Sequence, residues 1–64
     1  MNETTTAIKA TLEVFLAEDA KFENGNAAAG TRARKALADL SKLVKTRRNE
    51  ITATKNERKS SKTA

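Results

Sequence analysis

The side chains with most to offer chemically are basic and crowded together. Arg32, Arg34 and Lys35 fall within a single helical turn, and Lys42, Lys45, Arg47, Arg48, Lys55, Arg58 and Lys59 follow. Guanidinium and ammonium groups at this density neutralise phosphate oxygens, and arginine does so through two parallel donors. The residue types that are missing say as much. The 64 residues contain no Cys, His, Pro, Trp or Tyr. No disulfide or Cys/His zinc site can form, and Ser-His or Cys-His catalysis lacks its base. Glu18 and Asp19 are adjacent, so on a helix they point apart and are expected as solvated charge rather than as a catalytic pair. Gly25 and Gly30 bracket a loop that resembles a phosphate cradle only in composition. It follows a helical pattern and no Gly-Lys-Ser/Thr comes after it, so it is not a nucleotide-binding loop. The expectation is a chain without enzyme activity, cofactor or metal.

The manner of phosphate contact is also legible. Phe15 and Phe22 are the only aromatics, and both lie in the acidic part of the chain, so bases have no platform to stack on. The basic residues do not form a short recognition helix after a turn. Binding should therefore run through the backbone of duplex DNA, be steeply salt-dependent and tolerate any sequence; RNA offers the same phosphates. A membrane is a poor partner. The longest uncharged run, ending at Thr31, is alanine and polar residues, and the basic helix has no Trp or Phe to insert. The N-terminus carries Glu3 and no basic segment, unlike a secretory signal. The protein is expected in the cytoplasm on the nucleoid, or in a virion if phage-encoded.

Charge divides the chain in two. The net charge of +5 hides −3 over residues 1–30, from two lysines and five acids, and +8 over residues 31–64, from eleven bases and three acids. An assembly half and a polyanion-facing half follow from such a division. The alternative is a helical protein–protein assembly module, a coiled coil or virion component, without a nucleic-acid ligand. That reading needs acids and bases paired along the seam, and +8 exceeds what −3 can neutralise.

The positioning elements are two helices. Ile8, Leu12, Phe15, Leu16 and Phe22 step by three and four, giving the apolar face of a first helix of about 18 residues. Thr4, Thr5 or Thr6 is expected to cap its start and Asn24-Gly25 to end it. Asn26 should cap the second helix. There Ala33, Leu37, Leu40, Val44, Arg47, Ile51 and Thr54 trace a heptad stripe, widened by Ala29, Ala36 and Leu43. That helix should run from Ala27 to about Glu57, roughly 45 Å at 1.5 Å per residue. The small residues from Ala27 to Gly30 allow close approach beside the turn. The fold class is all-α: an antiparallel helical hairpin over residues 1–58, then a flexible basic tail over 59–64. A lone hairpin leaves the far side of each stripe wet. Two should dimerise into a four-helix bundle through Ile8, Leu12, Phe15, Phe22, Leu37, Leu40, Val44 and Ile51.

The corner from Gly25 to Lys35, Gly-Asn-Ala-Ala-Ala-Gly-Thr-Arg-Ala-Arg-Lys, has a Phe three residues before it and a Leu/Lys-rich helix after it. In this it resembles the bacterial histone-like family typified by the chlamydial linker-histone-like protein, over roughly Leu12 to Lys59. The chain departs from that pattern at Ala27, where members often carry lysine, and in its short tail. The resemblance implies a nucleoid-associated protein that compacts DNA without sequence specificity and self-associates through its helical part.

Overall fold

The computed structural model describes residues 2–63, with the backbone alone for 60–63. Two helices fill it, α1 over Glu3–Glu23 and α2 over Ala27–Thr63. They run antiparallel: Thr4 meets Glu50, Glu18 meets Arg32 and Phe22 lies against Gly30. The particle is a rod of 58 × 18 × 14 Å.

The start of α1 differs from the threonine cap predicted. Asn2 is the cap, its Oδ1 accepting from the Thr4 and Thr5 amides at 2.7 and 3.1 Å. An amide oxygen serves here as well as a hydroxyl. The threonines are used otherwise, Thr6 Oγ1 donating to the Asn2 carbonyl and Thr4 Oγ1 to Glu50 across the hairpin.

The corner follows its sequence closely. Asn24 ends α1, and Gly25 takes φ of 102°, where a Cβ would be strained. The Gly25 amide bonds the Phe22 carbonyl and the Asn26 amide bonds that of Lys21. This paired closure is the Schellman motif. Asn26 Oδ1 accepts from the Ala29 amide at 3.1 Å and so caps α2.

The seam between the helices is where the structure departs most from the pattern. Among the described residues the three that are buried are all alanine: Ala29, Ala33 and Ala36. Leu40, Leu43, Arg47 and Glu50 continue the row half-buried, at alternating three- and four-residue steps. Ala29, Ala36 and Leu43, expected only to widen the stripe, thus share its centre with Ala33, Leu40 and Arg47, which were expected on it. Leu37, Val44 and Ile51, expected on that stripe, are rotated out of it and stay more than 40 % exposed. Alanine wins the centre because it lets the backbones approach until few voids remain, and a leucine row there would hold them apart. On α1 the facing row is Thr4, Ile8, Thr11, Phe15 and Glu18, all partly buried, while Leu12, Leu16 and Phe22 stay exposed.

α2 is also longer than predicted. It passes Glu57 and remains helical to Thr63, so residues 59–63 are helical where an unstructured tail was expected. No Pro or Gly follows Gly30 to stop it. Ala64 lies outside the described residues. Beyond Glu50, α2 has no α1 beside it, and residues 51–59 are exposed throughout.

Candidate nucleic-acid interface

The basic residues separate according to where α2 turns them. Those near the seam are paired inside the hairpin. Arg32 donates from Nε to Glu18 Oε2 at 2.8 Å, joining the two helices. Glu18 also holds Lys21 at 3.6 Å, and its side chain keeps only 14 % of its exposure. It is therefore a cross-helix anchor rather than the solvated charge expected from the sequence. The Arg32 hydrogen bond, above all, holds the Glu18 carboxyl below the usual carboxylate range, against the opposing effect of burial.

A second anchor sits at the open end. Glu50 Oε2 accepts the Thr4 hydroxyl at 2.7 Å, while Oε1 takes Arg47 Nη1 at 3.0 Å. The Thr4 hydrogen bond, then Arg47, lowers the Glu50 pKa. Arg47 thus carries its charge to Glu50 rather than directly to solvent. Lys35 pairs loosely with Asp39 one turn along the same helix, at 3.5 Å.

The remaining cations look outward. Arg34, Lys42, Lys45, Arg48, Lys55 and Arg58 are exposed, and none forms an ion pair among the described residues. At about 100° per residue, Arg34, Lys42 and Lys45 project from the edge of α2 turned away from α1. Arg48 and Lys55 border that edge. Arg58 and Lys59 stand on the overhang, where every direction is exposed. Of the ten basic positions picked from sequence, Arg32, Lys35 and Arg47 are therefore engaged within the hairpin. No local signal foretold the Thr4–Glu50 and Glu18–Arg32 contacts, because each depends on the register of the two helices. Among the described residues no group of three or more possible metal ligands gathers, and no helix is long and apolar enough to cross a membrane.

A helical hairpin with one edge lined by unpaired cations defines a class of small basic α-helical proteins suited to a polyanion. The comparison with known families is specific. The model of the histone H1-like protein Hc1 matches residues 2–57, and the chain belongs to that family. It is a family of DNA-binding, nucleoid-associated proteins of structural rather than enzymatic character. No curated protein and no solved structure gives a significant match.

Proposed function

We propose that the chain is a sequence-tolerant architectural protein that binds duplex DNA through the phosphate backbone, using the outer edge and overhang of α2, and that it acts as a homodimer. The sorting of cations carries this reading. Arg32 and Arg47 are paired within the hairpin and Lys35 loosely with Asp39, while Lys42, Lys45, Arg48, Lys55 and Arg58 face outward without carboxylate partners among the described residues. Charges left unpaired along one helix edge release counterions when they meet phosphate, and that release drives binding.

Four to six phosphates neutralised per chain give a slope of log K against log salt of about −4 to −5. Gel shifts with unrelated duplexes across a salt series measure it, and affinity should vary little with sequence. Lys42→Ala with Lys45→Ala should lower the slope by about 1.8 and weaken all duplexes alike. Alanine is the best helix former, so the fold should be kept. An unchanged slope would remove the outer edge from the interface. Tighter binding to duplex RNA than to DNA would change the ligand.

A further inference from the structure

The two broad faces of the hairpin are unlike. On one, Phe15 and Phe22 of α1 and Leu37 of α2 border an apolar groove of about 350 Å³ over Gly30 and Ala33. Val44 and Ile51 extend the α2 row at seven-residue steps, and both are exposed. The opposite face is lined by Thr11, Val14, Arg32, Lys35, Ala36 and Asp39, and ion pairs engage three of these six.

The apolar groove also carries two charges, one on each rim. Asp19 stands on the α1 rim and Arg34 on the α2 rim. The Glu18–Arg32 bond sets the two rims at nearly the same height along the hairpin. Neither Asp19 nor Arg34 has an ion pair among the described residues.

We propose that this face receives a second copy of the chain about a two-fold axis along the hairpin, so that Asp19 of each meets the partner's Arg34 and the particle bridges two duplexes. The proposal rests on the DNA-binding, dimeric reading above. Two face-to-face two-folds are available to a hairpin. An axis along the hairpin puts α1 over the partner's α2, with both corners at one end. The Arg34 rim then covers the Asp19 rim twice, and the apolar rows meet between. An axis across the hairpin puts α2 over α2, bringing Arg34, Arg48 and Lys55 against the same basic row. Like charges set face to face oppose that arrangement.

The favoured axis has a consequence for DNA. Each basic edge of α2 points away from its own α1, and the two α2 helices lie at opposite sides of the four-helix particle. The edges carrying Lys42 and Lys45 therefore face apart. One duplex cannot lie on both, so the dimer joins two.

Charge reversal tests the packing. Asp19→Arg and Arg34→Asp should each raise the dimer dissociation constant about tenfold or more in sedimentation, and the double variant should return close to the parent. Restoration separates a direct pair from two unrelated folding defects. Circular dichroism at the same concentration follows the fold. The bridge is tested by retention of a free labelled duplex on beads bearing a second duplex. The parent should retain it. Asp19→Arg adds positive charge, so it should shift a single duplex at least as well as the parent while losing retention. Single variants that dimerise like the parent, or a double variant that stays dissociated, would overturn the packing. A parent that dimerises and shifts a duplex but retains none would overturn the bridge. A parent that shifts no duplex would overturn the DNA-binding reading and the bridge together, while the charge cycle still decides the packing.

Discussion

Gly30 offers the sharpest test of the corner. A Cβ built there lies 2.6 Å from Phe22 Cδ1 and 2.9 Å from Cε1, well inside contact distance. The Phe22 ring must move, and at 49 % exposed it has room to swing outward. Fully burying a phenylalanine is worth about 1.5–3 kcal/mol, so losing the buried half costs about 1–1.5 kcal/mol. Against this, Gly30→Ala recovers about 1 kcal/mol of helix propensity, and the two effects nearly cancel. Gly30→Val recovers only about half as much and adds a branched carbon to the closest approach, where overpacking costs about 1–3 kcal/mol. The net loss for valine is about 1.5–4 kcal/mol. In a domain of this size each kcal/mol moves the melting temperature by roughly 4–8 °C. Thermal melts followed by circular dichroism, at one fixed chain concentration, give the comparison. Phe22→Ala supplies the control, because valine should cost much less once the ring is gone. A valine variant that melts with the parent, or costs that simply add in the Gly30→Val, Phe22→Ala double variant, would refute the close approach of Gly30 to Phe22.

Other consequences are as direct. Leu40→Asp places a carboxylate in the seam between helices without a partner, and the several-kcal/mol penalty should abolish helical signal at micromolar concentration. Glu18 and Glu50 have folded pKa values below their unfolded ones, so their stabilisation is complete above about pH 5 and is lost as pH falls through the folded values. The melting temperature should therefore drop as pH falls below about 5, and drop less in Glu18→Gln with Glu50→Gln; a parallel pH profile in that variant would contradict the two anchors. Replacing Arg32, Arg34 and Lys35 together by alanine should flatten the salt slope by less than three phosphates' worth, because Arg32 and Lys35 already have carboxylates and Arg34 faces the dimer partner, and should also lower the melting temperature through the lost Glu18 bond. Thr4→Val should loosen the open end of the hairpin, seen as faster amide exchange in the first turns of α1 with the corner unchanged.

Local chemistry made the corner readable. Asn24, Gly25 and Asn26 each do what their side chains, or the lack of one, dictate within a few residues, and the turn closes as its sequence predicts. Two helices and their order were legible for the same reason. The seam was half legible. Ala33, Leu40 and Arg47 lie in it as expected. Leu37, Val44 and Ile51 outweigh Ala29 and Ala36 on any transfer scale, yet the alanines face α1. What selects them is backbone approach, a property of the pair of helices rather than of either alone. The Asn2 cap was missed in favour of three adjacent threonines of the right chemistry, one of which reaches 46 positions along the chain to Glu50 instead. Among the basic residues, composition pointed to a phosphate-binding function. Which cations the hairpin consumes follows from register, and a single chain read in one dimension does not contain it.

The alanine core inverts the usual meaning of a mutational scan. Most interiors are probed by cutting side chains back to alanine and reading the loss as a cavity. At positions 29, 33 and 36 there is nothing to cut. An alanine scan would pass over the centre of this hairpin in silence and report its leucine margins as if they were the core. Sensitivity here runs toward enlargement: a serine adds one heavy atom, a valine or leucine forces the axes apart along their length. Such a seam narrows the substitutions open to drift at three positions while leaving the charged edge almost unconstrained. Within one short chain the scaffold is held tightly to its residue sizes, and the surface that meets its partner is free to vary in how many charges it carries and where.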